Sequence, residues 1–281
     1  MKNDLIVIVP IYKSKINHKE LISLNRCEEI LSDEFPICFV CPFSLNLDEY
    51  KLNEKYLIKR FDDIYFKDID AYNKLMLSSF FYEEFVDYNW MLIYQLDCYI
   101  FKNTLHYFTN LGIDYIGAPI YKYKNNRYLY ELIGVGNGGL SLRKINSFID
   151  IFKSKSKKSI FEIIKFFIIE KKKMHKSYPK YNNLFFYIFY IPKSIYDAIK
   201  FRNDFPNSYI SKYKFNEDVF YCNVYPIINP KFKIAKFNDA IKFSFEVFPE
   251  KLYELNSYQL PMGCHAWEKN NLEFWKKFIK I

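Results

Sequence analysis

The run LIVIVPIY, residues 5 to 12, carries no charge and no alternation of apolar with polar side chains. A strand of that kind is buried on both faces, as at the centre of a parallel sheet, and Pro10 ends its ladder because proline has no N–H to donate. Three further runs are similarly apolar, the last two with a single carboxylate each: PICFVCP (36 to 42), WMLIYQLDCYIF (90 to 101) and IDYIGAPIY (113 to 121), the last with a Gly-Ala-Pro break. Helical stretches lie between them. Asn17 and Glu20 stand at capping-box spacing before LISLNRCEEILS, and AYNKLMLSSFFYEEFVDY (71 to 88) reads as a second helix feeding the third strand. Strands alternating with helices predict an α/β fold, a mostly parallel sheet with helices on both faces, in one domain over 1–281. Half of the residues are apolar, which excludes the low-hydrophobicity balance of a disordered chain.

The charge is localised. Residues 151 to 200 hold twelve lysines, three acids (Glu162, Glu170, Asp197) and no arginine, and so carry the whole formal charge of +9. That marks 151–213 as a basic, aromatic helical insertion, with an anionic membrane surface as a candidate neighbour over 151–200. A pair of core helices with solvated lysines is the plainer reading. Nucleic acid is not expected, since the segment lacks the arginines that make bidentate phosphate and base contacts. The six cysteines lack the spacing of a disulfide framework, and Cys38 and Cys41 form a C-x-x-C inside an apolar strand with no second pair to complete a zinc site. The N-terminal apolar run is too short for a signal peptide, and no run reaches the roughly 18 to 20 residues that span a bilayer. A cytoplasmic protein, peripheral at most on the inner membrane face, is expected.

Within YQLDCYIF one carboxylate, Asp97, sits late in an apolar strand. A dry ionised carboxylate costs several kcal/mol unless a cation meets it, and the carboxyl edge of an α/β sheet is where ligands bind. Either Asp97 pairs with a structural lysine or it serves a site. The glycines favour a site: four of the chain's seven, Gly134, Gly136, Gly138 and Gly139, fall within GVGNGGLSLRK (134 to 144). Such a loop wraps a ligand or, in its plainer form, makes an Asn-Gly hairpin. In NEDVF the adjacent acids Glu217 and Asp218 open a helix, where the macrodipole favours negative charge. His265, in PMGCHAWEK, is one of only four histidines and has no role that its own segment decides.

In this order, IVPIY, SSFFYEEF, LIYQLDCYIF, DYIGAPIY, GVGNGGLSLRK, NEDVF and PMGCHAWE resemble a bacterial family read as glycosyltransferases of the GT-A fold and long catalogued as a domain of unknown function. The resemblance covers about 1 to 145 and 214 to 270. It implies a nucleotide-diphosphate sugar as donor, held through Mn²⁺ or Mg²⁺, and transfer to a hydroxyl of a glycan or lipid-linked acceptor in surface-polysaccharide, capsule or lipooligosaccharide assembly. QLD stands where many such enzymes carry Asp-x-Asp, so Asp97 and His265 are the implied metal ligands, with Gln95 in place of the first acid. Asp218, ahead of Glu217, is the implied base of an inverting transfer. Pro10, Tyr12, Lys74, Gln95, Asn137, Gly138 and Gly139 are the implied donor-binding residues. The alternatives are a binding protein that keeps the fold without catalysis, and a nucleotidyltransferase or phosphohydrolase.

Overall fold

The computed structural model of the protein describes residues 3–52, 54–124, 127–153, 158–176 and 183–281. Strand β1 (Asn3–Pro10) pairs in parallel with β2 (Ile37–Pro42) on one side and β4 (Tyr88–Tyr94) on the other, and β3 (Leu57–Phe61) continues parallel beyond β2. Antiparallel β9 (Leu140–Lys144) and β6 (Tyr115–Ile116) complete the order β3-β2-β1-β4-β9-β6. Side chains alternate across this sheet. Ile6, Ile8, Cys38, Val40, Met91 and Ile93 bury on one face; Leu5, Val7, Val9, Phe39, Cys41 and Leu92 bury on the other. Both faces are therefore apolar, as the unalternated runs require.

Helix α1 (His18–Leu31) covers the second face with Leu24, Cys27 and Leu31, and the capping box at its start forms, Asn17 accepting from Glu20 N–H at 2.9 Å and Glu20 from Asn17 N–H at 2.9 Å. The expected single helix over 71–88 is instead two. Helix α2 (Ile69–Met76) stops, Ser78 turns extended with its hydroxyl bonded to the Leu75 carbonyl, and α3 (Ser79–Glu83) packs Phe81 and Tyr82 into the first face. The serine hydroxyl competes with the helical ladder, which is why the chain breaks there. Helix α4 (Leu105–Thr109) adds Leu105 and Phe108 to the second face, and α5 (Ile145–Lys153) adds Phe148 and Ile149 to the first. The mixed α/β architecture with helices on both faces is the one the sequence predicts.

Two expected strands are interrupted. YQLDCYIF turns at Gln95–Asp97, closed by Cys98 N–H to Gln95 O at 2.9 Å, and β5 (Cys98–Ile100) leaves the main sheet. Gln and Asp cannot continue a strand buried on both faces without polar partners, so the ladder ends where they begin. IDYIGAPIY breaks at Gly117, where a Cβ would lie 1.7 Å from the Gly136 carbonyl oxygen, and β7 (Ala118–Lys124) and β8 (Arg127–Gly136) form an antiparallel hairpin beyond it. Strand β10 (Ser244–Phe245) pairs in parallel with β11 (Gly263–His265), which runs antiparallel to β5. In the basic segment, α6 (Ile160–Lys176) and α7 (Asn183–Phe201) lie together, burying Ile163, Phe166, Phe167, Ala198 and Phe201 with the first-face core. The parts of that segment at 154–157 and 177–182 lie outside the described residues. Among the described residues no helix is long and apolar enough to cross a membrane.

Candidate active site

Strands β1 and β4 are neighbours whose onward connections lead to opposite halves of the sheet, the switch point at which an open α/β sheet leaves a crevice. A cleft of about 1030 Å³ opens there, lined by Pro10 and Tyr12 after β1, Gln95 and Asp97 after β4, Asn137 to Gly139, Glu217 and Asp218, and Glu246, His265 and Lys269. Most of the residues singled out in the sequence thus meet in one place. Tyr12 is exposed in the cleft and not a packed core aromatic. Lys74 is the exception: it lies exposed in the last turn of α2, outside the cleft lining.

Register brings His265 to Asp97. In the β11–β5 pair His265 stands opposite Cys98, one residue after Asp97, and His265 Nε2 lies 3.1 Å from Asp97 Oδ1. That nitrogen is buried, and its contact with the carboxylate is an ion pair. Nδ1 faces Glu246 Oε1 at 3.1 Å and the Asn137 side-chain amide at 3.0 Å. Burial opposes charge on His265, but Asp97 and Glu246 outweigh it and push its pKa up to about 10. The other Asp97 oxygen accepts from Lys269 Nζ at 2.9 Å. Burial would raise the Asp97 carboxyl, yet His265 and Lys269 hold it well below the usual carboxylate range. The countercharge the sequence left to a ligand is therefore also supplied by the chain itself.

Asn137 joins this cluster to the acid pair. It adopts φ +81°, a conformation Asn tolerates better than most residues. Its Oδ1 accepts from Gly139 N–H at 2.8 Å, its own N–H donates to Asp218 Oδ2 at 3.0 Å, and its carbonyl accepts from Tyr115 Oη at 2.7 Å. Its Nδ2 lies 3.0 Å from His265 Nδ1, a nitrogen that in the charged ring carries a proton of its own, so the amide N–H groups are not spent there. Gly139 is shaped by the same cluster, since a Cβ there would lie 2.2 Å from His265 Nε2.

Glu217 and Asp218 have different surroundings. Glu217 is buried and its Oε1 accepts from Arg143 Nη2 at 2.7 Å, while its N–H donates to the Asn73 side chain at 3.2 Å. Arg143 is itself fully buried, with Nη1 on Tyr82 Oη at 2.9 Å and Nε on Ser141 Oγ at 3.0 Å. Asp218 is partly exposed to the cleft and accepts from the N–H of Asn137 and, at 2.8 Å, of Val219. Burial first, and then the charge of Glu217, push its carboxyl up to about 7. The acids do open a helix, but it is only Glu217–Val219, and a π-helical turn follows over Phe220–Val224.

Arg143, Glu246 and Lys269 are site residues that motif reading passed over. Arg143 had a signal, a cation in phase with Ser141 and out of phase with Leu140 and Leu142 in LSLRK. Glu246 and Lys269 had none beyond proximity to His265 in the second case. Asp97, Cys98 and His265 present ligand atoms within 4.8 Å of one another. Cys98 is a poor member of that set: its Sγ donates to the Gly139 carbonyl at 3.3 Å, and burial pushes its thiol well up, which keeps it protonated. The six cysteines are free and buried, Cys38 and Cys41 included.

An α/β protein with an acidic, histidine-bearing cleft at the switch point of its sheet is the class that this fold and site define. The chain belongs to a family described as a protein of unknown function (DUF5672), whose model matches residues 55–265. No curated protein matches the chain. Solved structures similar to it include mouse xyloside xylosyltransferase 1 in its apo form, 11% identical over 93% of this chain and 97% of that chain, with a TM-score of 0.45. Another is a glycosyltransferase involved in the glycosylation of the major capsid of PBCV-1, 10% identical over 99% of this chain and 100% of that one, with a TM-score of 0.44. A third is the galactosyltransferase LgtC in complex with donor and acceptor sugar analogues, 11% identical over 92% and 86%, with a TM-score of 0.42.

Proposed function

We propose that the chain is a metal-dependent glycosyltransferase of the GT-A type that moves a sugar from a nucleotide-diphosphate donor to an acceptor hydroxyl with inversion, in surface-polysaccharide or other glycoconjugate assembly. The observation that carries this reading is the convergence of Asp97, His265 and Asp218 on one cleft at the carboxyl edge of the sheet. Asp97 Oδ1 and His265 Nε2, which pair with each other at 3.1 Å, would hold a divalent ion once the imidazole gives up its proton, with Glu246 behind Nδ1 orienting the ring as a carboxylate behind a metal-bound imidazole does. Carboxylate and imidazole together suit Mn²⁺ or Mg²⁺, the imidazole favouring Mn²⁺. When bound, such an ion would supply Lewis-acid neutralisation of the charge on the departing diphosphate.

The chain's own residues do the rest. Lys269 brings a second cation to the same carboxylate. Asp218, with a carboxyl raised to about 7, is placed to take the proton of an acceptor hydroxyl, a role that contributes roughly 10²–10⁴-fold. Glu217 is committed to Arg143 and fixes the backbone from which Asp218 projects. Asn137 couples the two halves, its backbone on Asp218 and its amide beside His265.

A second reading has one observation in its favour, the Lys269–Asp97 pair, through which the chain's own cations would meet the diphosphate without a metal. Thermal shift with a panel of nucleoside diphosphates, with and without Mn²⁺, separates the two. Stabilisation that needs both ligands supports the metal-dependent enzyme, and saturation at 100 times the dissociation constant adds about 2.7 kcal/mol. Equal stabilisation in EDTA supports the second reading. No response to any nucleotide refutes both, and mass spectrometry of the products distinguishes sugar transfer from nucleotidyl transfer or hydrolysis.

A further inference from the structure

Helix α7 has an inner face and an outer one, and both are apolar. The inner face packs Ala198 and Phe201 into the core and buries Ser194, whose hydroxyl donates to the Tyr190 carbonyl at 2.7 Å. On the other side Ile188, Ile195, Tyr196 and Ile199 are 57%, 40%, 66% and 53% exposed. At 3.6 residues per turn these four fall within an arc of about 100°, with Lys193 and Lys200 along one border. Scattered apolar residues on a surface need no explanation, but a contiguous outward stripe does. The helix's acid, Asp197, is bonded to Lys171 at 2.6 Å, so its charge is met within the protein.

We propose that this outward face of α7 docks on an anionic lipid bilayer, its isoleucines and tyrosine entering the headgroup boundary while the bordering lysines meet lipid phosphates. Charge selects this occupant. The segment from 151 to 200 holds twelve lysines against three acids. A second copy of the chain on this face would bring two such segments together, whereas an anionic leaflet attracts them. A nucleic acid would use the lysines but leaves the apolar stripe without a role. Helix α7 has the features of a helix lying in the interface plane: an apolar arc, a lysine border, and too little hydrophobic length to span. The proposal is independent of the chemistry in the cleft, from which these residues are absent.

The test is co-sedimentation of the full chain with vesicles of phosphatidylcholine alone and of phosphatidylcholine mixed with phosphatidylglycerol. Binding is expected to the mixed vesicles only, and to weaken as salt is raised. The Ile195→Asp/Ile199→Asp variant is expected to lose roughly ten-fold or more in partitioning, at an unchanged melting temperature. Lys193→Glu/Lys200→Glu is expected to lose binding at low salt and to differ little from the parent at high salt. Should the isoleucine variant unfold, Ile195→Ser alone reads the same loss. Absence of binding to mixed vesicles, or binding that the isoleucine substitutions leave unchanged, overturns the proposal. So does a dimer in light scattering that those substitutions dissociate, or retention on duplex DNA with no vesicle binding.

Discussion

Replacing Asp218 with Asn separates the charge of this side chain from its shape. Burial and the neighbouring Glu217 raise its carboxyl from 3.8 to about 7, against the opposing N–H donors of Asn137 and Val219. Between those two values the folded chain holds a proton that the unfolded chain has lost, so stability falls as pH rises through the window and is level above it. Between pH 5 and pH 8 about two units of the shift are traversed, about 2.7 kcal/mol at 1.36 kcal/mol per unit, and cleft solvent reduces this to about 1–2 kcal/mol. Asn cannot ionise. It also has one acceptor oxygen for two N–H donors, a loss of about 1 kcal/mol at every pH. The quantity to measure is therefore how the difference between variant and parent changes with pH: the variant should gain about 1–2 kcal/mol on the parent from pH 5 to pH 8, or about 2–6 °C in melting temperature at this chain size. In the same variant transfer should fall by roughly 10²–10⁴-fold with donor affinity nearly unchanged, while the parent's rate rises through about pH 7. A pH-independent difference in melting temperature together with retained turnover would refute both the perturbed carboxyl and its role as base.

Arg143→Met should destabilise the fold by about 3–5 kcal/mol by leaving Glu217 buried without its cation, and adding Glu217→Gln should recover much of that loss in denaturant unfolding. Asp97→Asn is expected to abolish the joint stabilisation by Mn²⁺ and nucleoside diphosphate in thermal shift, while Lys269→Met keeps it. Glu246→Gln should weaken Mn²⁺ binding roughly 10–100-fold in calorimetry with the fold intact, as loss of the carboxylate behind a ligating imidazole does. Gly139→Ala, whose Cβ would lie 2.2 Å from His265 Nε2, should displace the ring and show the same loss of metal binding.

The sequence by itself determined the α/β class, because strands buried on both faces need unalternated apolar runs and helices between them to cover the sheet. It also marked Asp97, the glycine-rich loop, the acid pair and His265, since charges and glycines in otherwise apolar elements stand out locally. What it left open was decided by register and packing. Only the antiparallel pairing of Gly263–His265 with Cys98–Ile100 sets His265 beside Asp97 across more than half of the chain. Only tertiary contact shows that Glu217 is spent on Arg143 while Asp218 faces the cleft, that Asn137 ties the two clusters together, and that Glu246 and Lys269 belong to the site. The lysine count was plain in the sequence, but which face of α7 packs inward, and so leaves the other apolar and outward, depends on what lies against it. Local sequence fixes what a segment can pair with, whereas partners drawn from distant segments are chosen only when the core closes around them.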